Sequence, residues 1–504
     1  MGTDKDHIVC VAPATGETID RIVVTKPEAV RAIVARARAA QSEWAALPVK
    51  ERCSRLLDLR DHFERGADRL ADVLVLECGK PRQEALLHEI GLLCHLLTHY
   101  ARRAPALLEP KSFVPELLKY RKSRIRYEPR GVVGIISPWN FPLLIPFADA
   151  FTALFAGNAV VVKPSEHAPL IALEVKKMWD ESGLPADLLH VIAGYGDTGQ
   201  ALIEGGVSKV VFTGGVETGR RVAEACGREL VECVLELGGK APAIVCDDAD
   251  VELAARAITF GGFFNAGQAC ISVERVLAHE SIYEPLVERI VENTRALRLG
   301  GPIGEWDVGP IIFSRQTSVA ETLIRDALER GAKLEIGGKR AERTGDFFEP
   351  TVLSGCNDSM RVMREEIFGP VVPVMKVTDD AHALSVANGI PLGLNAYVFS
   401  KKTRRARDIA ERLEVGSVVI NDVLSDYGAP EAPFGGVKNS GYGRTHGDHA
   451  LRAMCTLKHV SEERFTPPIR PWFPYTEKST GIARRMLSKL FSRDSLLSGF
   501  VGRL

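Results

Sequence analysis

The sequence predicts an α/β fold in two layered domains with a small antiparallel β extension. Helical and strand-like periods alternate along most of the 504 residues, the pattern of largely parallel sheets. Short β-branched runs end in loops of Gly, Pro, Ser or Thr, and the series restarts after Cys270. In chain order, Thr25-Lys26-Pro27-Glu28 reads as a capping box with Pro at the helix start. Apolar Val30, Ile33, Val34 and Ala37 follow at helical spacing, which makes this a surface helix. The first strand series is residues 132–136, 159–162, 209–212, 231–235 and 243–246, and the ends of such strands are where ligands bind in doubly wound sheets. The second series, residues 272–278, 371–377, 395–400 and 418–421, builds a second α/β domain. Arg124-Ile125-Arg126-Tyr127 alternates polar and apolar, as does part of 456–460, so the two are expected to pair as an antiparallel extension serving oligomerisation.

From Arg464 the chain changes character, with Pro467, Pro468, Pro471 and Pro474 forming an extended linker. Beyond it Ile482, Met486, Leu487, Leu490 and Phe491 fall on one helical face, and Arg484, Arg485, Lys489 and Arg493 lie elsewhere on the wheel or flank it. Packing on the body or on a neighbouring subunit is the expected use, with membrane-surface contact as the alternative.

Composition narrows the partners. Lys and Arg (64) nearly cancel Asp and Glu (65), which leaves no global electrostatic case for nucleic acid or an anionic membrane and points to small molecules. The ten cysteines contain no CxxC pair and no Cys/His cluster at ligand spacing, so no metal is expected. They read as reduced thiols of a cytoplasmic protein. Met1-Gly2-Thr3-Asp4-Lys5-Asp6 lacks an apolar signal core, and Asp6 stands where a myristoylation motif needs Ser or Thr. Residues 131–148 carry no charge, but Pro138, Pro142 and Pro146 exclude one continuous spanning helix.

Asn265-Ala266-Gly267-Gln268-Ala269-Cys270 places a thiol in one loop, and Leu235-Glu236-Leu237-Gly238-Gly239-Lys240 places a carboxylate in another. A thiol nucleophile and a candidate general base are the parts of covalent chemistry on a carbonyl. The thiolate becomes reactive once a positive charge lowers its pKa, a charge that a bound cofactor cation can supply. The structural alternatives are a buried apolar Cys270 and a Glu236 paired with Lys240. Gly194-Tyr195-Gly196-Asp197-Thr198-Gly199 matches GxGxxG, yet the acidic residue expected about twenty residues on, Glu217, lies in another Gly-rich turn, so the simple dinucleotide fingerprint fails. Residues 212–219 are the better phosphate turn, because they join a strand to a helix start.

With these loops in view, the chain resembles the aldehyde dehydrogenase superfamily in order over about residues 8–460. Pro138-Trp139-Asn140-Phe141-Pro142 is similar to its oxyanion loop, Lys163-Pro164-Ser165-Glu166 to its adenosine-ribose strand end, and 212–219 to its phosphate turn. Residues 235–240 resemble the general-base loop and 265–270 the nucleophile loop. Glu365-Glu366-Ile367-Phe368-Gly369-Pro370 is similar to the nicotinamide-side motif, and Pro433-Phe434-Gly435-Gly436 to the substrate-side loop.

The resemblance implies a Rossmann-like cofactor-binding domain (1–119 and 131–238), an α/β catalytic domain (239–445), oligomerisation strands (120–130 and 446–463) and a tail (464–504) in a homodimer or homotetramer. It implies Cys270 as nucleophile, Asn140 with the Cys270 N–H as oxyanion donors, and Glu236 as the base that activates water on a thioester. That base favours a free acid as product over transfer to a thiol. Ile136, Pro138, Trp139, Lys163, Ser165, Glu166, Phe212, Thr213, Gly214, Gly215, Thr218, Leu237, Glu366 and Phe368 are the implied cofactor contacts. A Glu166 carboxylate would accept from a ribose 2′-hydroxyl and repel a 2′-phosphate, so NAD is expected over NADP. Gly215 stands where the family often has Ser, which removes a hydroxyl from the phosphate turn.

The implied channel residues are Leu143, Leu144, Phe147, Phe264, Ile271, Leu424, Tyr427 and Phe434, with Ala148 where succinic semialdehyde relatives carry Arg. An uncharged aliphatic or aromatic aldehyde is therefore expected. Asp149, Asp422, Asp426 and Glu431 keep an amino aldehyde as an alternative, beside a semialdehyde. Two non-oxidising readings remain at this point: a catalytically idle oligomeric family member and a cofactor-free cysteine hydrolase.

Overall fold

The computed structural model describes residues 6–301, 304–467, 470 and 472–491. They form two compact units, residues 1–109 with 127–457, and residues 110–126 with 458–504. The larger unit holds two parallel sheets. In the first the strand order is Gly441–Tyr442, Glu232–Glu236, Lys209–Thr213, Val132–Ile136, Ala159–Lys163 and Leu189–Val191, with only Gly441–Tyr442 antiparallel. Val132–Ile136 comes first in the chain among the parallel strands and sits between the later Lys209–Thr213 and Ala159–Lys163, so the order reverses there. The crevice at the carboxyl ends beside such a reversal is the ligand site of doubly wound sheets.

The second sheet runs Lys333–Ile336, Thr351–Cys356, Val371–Val377, Val273–His279, Ala241–Val245, Asn395–Phe399 and Ser417–Ile420, parallel except for its first strand. The run expected at 243–246 thus pairs into this sheet rather than the first. Both sheets are buried on their central strands, as their continuous apolar runs require.

The uncharged stretch 131–148 divides as its prolines demand, into the strand Val132–Ile136, a loop, and the helix Leu144–Phe155. Among the described residues no helix is long and apolar enough to cross a membrane. The capping-box expectation is corrected. The helix Pro27–Ala46 starts one residue later than the box requires, so Lys26 takes the N-cap without a side-chain cap and is preceded by Thr25. Its N–H donates to the Ala193 carbonyl (2.7 Å) and its own carbonyl accepts from the Thr198 hydroxyl (3.2 Å).

The smaller unit carries the extension. Lys111–Phe113, Arg121–Pro129 and Cys455–Glu463 form a three-stranded sheet with Arg121–Pro129 in the middle. In the tail a helix spans Glu477–Phe491 and buries none of its residues. Met486, Leu487 and Phe491 are all exposed. Met1 to Lys5, Pro468, Pro471 and Arg493 lie outside the described residues.

One buried ion pair holds the loop after Val132–Ile136 in place. Lys80 pairs with Glu89, both with no side-chain exposure, and Lys80 Nζ also donates to the Asn140 carbonyl (3.0 Å). The other Glu89 oxygen accepts from the N–H groups of Leu143 (2.9 Å) and Leu144 (3.0 Å), so a carboxylate caps the helix that follows. Removing one member of such a pair strands a buried charge. Lys80→Met should therefore lower unfolding stability by about 3–5 kcal/mol in urea titration, and a loss under about 1 kcal/mol would show that the pair is not what anchors the loop.

Candidate active site

The loop before Cys270 is turned by three successive left-handed residues, Asn265 (φ 49°), Ala266 (φ 56°) and Gly267 (φ 71°). Glycine is required at the last, since a Cβ there would lie 2.2 Å from the Gly369 carbonyl oxygen. The two others cost about 1–3 kcal/mol each, and side-chain amides hold them. Asn265 Nδ2 donates to the carbonyls of Asn140 (2.9 Å) and Gln268 (3.2 Å), and Gln268 Nε2 donates to the Asn265 carbonyl (2.8 Å). Asn140 Nδ2 in turn donates to the Gln268 carbonyl (3.0 Å). Asn140 and the Cys270 loop are thereby one hydrogen-bonded body.

Glu236 ends the strand Glu232–Glu236 and is buried, with its Oε1 packed so closely on Gly435 that a Cβ there would lie 2.6 Å away. Neither carboxyl oxygen has a hydrogen-bond partner among the described residues. Burial first, then the Asp149 charge, push its pKa well above the ordinary carboxylate range. Lys240 is not its partner. That ammonium pairs with buried Glu274 (2.8 Å), and Glu274 also accepts from the N–H groups of Ile367 (2.9 Å) and Phe368 (2.7 Å), which pins Phe368 in a left-handed turn (φ 53°). Glu366 accepts from the Gly239 N–H (3.0 Å), and Gly238 and Gly239 cannot take a Cβ without meeting Glu366 (2.5 Å) and the Cys270 carbonyl (2.3 Å).

Cys270 opens onto two cavities and a smaller enclosed space. The first, of about 220 Å³, lies at the reversal of strand order, where Pro138, Trp139, Asn140, Thr213, Gly214, Gly215, Glu236, Leu237, Glu366 and Phe368 meet as the loop motifs imply. Phe313 and Gln316 join them, which no sequence signal marks. Ile136, Lys163, Ser165, Glu166, Phe212 and Thr218 are not on its wall. They sit at or just beyond the carboxyl ends of the same strands, with Lys163 facing Glu166 at 3.6 Å and Thr218 in the first turn of the helix Val216–Glu229. That helix starts at Gly215 with no side-chain cap, and a Cβ at Gly215 would meet nothing within 4 Å. An uncapped helix start beside open space is an anion cradle.

The second cavity, of about 330 Å³, is walled by His88, Leu92, Phe141, Leu144, Phe260, Phe264, Ile271, Val423, Leu424 and Tyr427, with no Lys, Arg, Asp or Glu. Burial holds His88 below its ordinary pKa, hence neutral. Leu144, Phe264, Ile271, Leu424 and Tyr427 stand where the motifs place the channel. Three of the expected residues do not. Leu143 and Phe147 are fully buried in the core around the first sheet, where the Phe147 ring packs on Phe151, and Phe434 lines a smaller space beside Glu236. Burial, then Glu366, Glu236 and Asp426, raise the Cys270 pKa, so the resting thiol is protonated.

A thiol shared by a crevice at the strand-order reversal and an uncharged apolar cavity, in a two-sheet α/β unit, is an arrangement suited to a carbonyl-processing oxidoreductase of the doubly wound class. The chain belongs to the aldehyde dehydrogenase family, whose model matches residues 1–460. It is 37% identical over 494 residues (97% of this chain, 92% of the other) to a 4,4'-diapolycopene aldehyde oxidase of a Methylomonas species. It is 39% identical over 462 residues (90% and 89%) to a Mycolicibacterium smegmatis protein provisionally named succinate-semialdehyde dehydrogenase (NADP+). The crystal structure of PnpE in complex with nicotinamide adenine dinucleotide superposes with a TM-score of 0.88 at 34% identity, covering 92% of this chain and 95% of that one.

The raised Glu236 pKa has a stability consequence with a defined sign. The native state binds this proton more tightly than the unfolded chain, whose Glu titrates near 4.5, so the contribution is whole below that pH and is lost as pH rises toward the folded value. Glu236→Gln should therefore unfold at higher urea than the parent at about pH 8. The gap should widen by about 1.4 kcal/mol for each pH unit between the unfolded titration and the raised folded one, level off above it, and close by about pH 4. A gap independent of pH would mean that the buried carboxyl is not held neutral.

Proposed function

We propose that this chain oxidises uncharged aliphatic or aromatic aldehydes to carboxylic acids with NAD, through a thioester on Cys270. The observation that carries this is the position of the Cys270 thiol, reached from the crevice on one side and from a wall without charge on the other. When bound, the nicotinamide cofactor supplies a cationic ring beside Cys270 and the acceptor for a hydride.

The residues of the crevice fit that group. Gly214 and Gly215 with the first turn of Val216–Glu229, which includes Thr218, would hold its phosphates, and Trp139, Leu237, Glu366 and Phe368 would hold the nicotinamide end. Lys163, Ser165 and Glu166, beyond Ile136 and Phe212 on the neighbouring strand ends, would hold the adenosine. The Glu166 carboxylate favours NAD over NADP there.

With its proton released to solvent, Cys270 Sγ adds to the aldehyde carbon, and the new oxyanion is held by Asn140 Nδ2 and the Cys270 N–H, with the Asn140 amide giving up its bond to Gln268. Loss of hydride leaves the acyl group on sulfur. Glu236, whose unpartnered oxygens face the thiol's surroundings, then takes a proton from the water that attacks the thioester.

The uncharged wall argues against semialdehydes and amino aldehydes alike. Ala148 is buried, Asp426 accepts from Asn395 (3.2 Å), Glu431 faces His99 (3.6 Å), and neither Asp149 nor Asp422 reaches the apolar cavity. The outer strand Cys455–Glu463, which exposes Leu457 and Val460, supports assembly as a homodimer or homotetramer. The bare apolar face of Glu477–Phe491 supports a further contact, with a neighbouring subunit or a membrane surface. The ten free cysteines agree with a cytoplasmic setting.

With hexanal and NAD, NADH absorbance should appear with a kcat/KM at least about a hundredfold above that for succinic semialdehyde, since an unpaired carboxylate in an apolar wall costs several kcal/mol. Preference for the semialdehyde would overturn the substrate reading. Asn140→Ala should lower kcat by about 10²–10³-fold, and Cys270→Ser should abolish NADH formation while leaving NAD binding by calorimetry intact. Turnover by Cys270→Ser would place the nucleophile elsewhere.

A further inference from the structure

Asp149 has no role in the chemistry above, yet it lies in mid-helix in Leu144–Phe155, all twelve residues of which are buried. A carboxyl there is costly to bury and contributes nothing to packing that an apolar residue would not. It is one helical turn beyond Ile145, and the two side chains reach the same small space. That space, of about 10 Å³, is walled by Asp149, Glu236, Cys270, Tyr427, Phe434 and Thr445 among others. A cavity of this size takes one water molecule, provided two to four polar groups meet it. The groups are present. Both Glu236 oxygens and the Thr445 hydroxyl are buried without partners among the described residues, and the Asp149 carboxyl shares their wall.

We propose that Asp149 is the proton partner of Glu236, the two carboxyl groups and the Thr445 hydroxyl sharing one enclosed water site through which a proton passes between them. This rests on the thioester reading above. Two carboxyls in one site cannot both ionise readily, so the pair keeps one proton across neutral pH and titrates as a whole. Burial lifts Asp149 to about 7, and burial together with the Asp149 charge pushes Glu236 well above the ordinary carboxylate range. While the shared proton sits on Glu236, that residue cannot act as a base. Transfer of its proton to Asp149 frees the Glu236 carboxylate without changing the charge of the pair.

The hydrolytic step then balances. The water oxygen bonds to the thioester carbon and its proton goes to Glu236. The C–S bond breaks with its electron pair on Cys270 Sγ, and the pair returns one proton to that sulfur, leaving carboxylic acid, free thiol and a singly protonated pair. Two cations oppose these shifts without cancelling them: Lys209, itself paired with Glu232, lowers Asp149, and Arg444, which donates to the carbonyls of Gly436 (2.9 Å) and Gly443 (2.6 Å), lowers Glu236, while burial outweighs both. Tyr427, Tyr100 and Cys270 are uncharged at neutral pH, their pKa values raised by burial.

Stopped-flow oxidation of hexanal by Asp149→Asn separates this role from a structural one. The NADH burst, which reports formation of the thioester, should keep its amplitude and change by less than about threefold in rate, whereas steady turnover should fall about tenfold or more. The acid limb of the steady rate should also move to lower pH by about one unit, because Glu236 loses a neighbouring negative charge. Asp149→Glu should recover most of the turnover. An unchanged steady rate and pH limb, or equal losses in burst and turnover, would overturn the proposal. Absence of any burst in the parent would instead sink the thioester reading beneath it. If Asp149→Asn does not accumulate, Thr445→Val removes the hydroxyl at the same volume, and the same two outcomes decide.

Discussion

The side-chain amide of Asn265 is the contact on which the site depends. It bonds the carbonyl of Asn140, from the loop after a strand of the first sheet, and the carbonyl of Gln268, from the turn leading into the second. Three left-handed residues in a row would relax without it, and the distance from the Asn140 amide to the Cys270 backbone would no longer be set by either sheet. Asn140 is fixed from behind by Lys80 and Glu89, and the Gly238-Gly239 turn is fixed by Glu366 and by the carbonyl of Cys270. Side chains from distant parts of the chain therefore hold backbone turns, and the turns hold the reactive groups.

Charge around the thiol follows from the same packing. Glu366, Glu236 and Asp426 all disfavour a thiolate, and burial adds to them, so the resting site is quiet. A cationic ring held in the crevice, whose wall carries both Cys270 and Glu366, would oppose that balance. On the proposed reading, activation of sulfur is tied to the presence of the hydride acceptor. The paired lysines 80 and 240, both buried, are occupied by Glu89 and Glu274 and supply no competing positive charge.

Much of this is legible in the sequence where chemistry and local backbone coincide. Cys270, Glu236 and Asn140 lie in loops whose Gly or Pro residues mark strand ends, and the crevice forms where the strand order turns back. What escapes is long-range or depends on helical phase. Glu274 is 34 residues from Lys240 and Glu89 is 54 from Leu143, separations at which no periodic pattern reports a partner. Leu143 and Phe147 follow Pro142 and so read as channel residues, but the phase of the helix Leu144–Phe155 points them into the core. Asp149 lies on that same helix and reads in the sequence only as a contact for an amino aldehyde. Asp149 and Glu236 lie far apart in the chain and share a wall only in the folded structure.

The most direct test of the central claim, that Cys270 carries the acyl group and Glu236 is needed to release it, is intact-protein mass spectrometry of Glu236→Gln mixed with hexanal and NAD. One hexanoyl group per chain should accumulate, on the peptide bearing Cys270, with NADH formed in equal amount and little further turnover. An adduct on another cysteine, or sustained turnover with no acyl adduct, would contradict it.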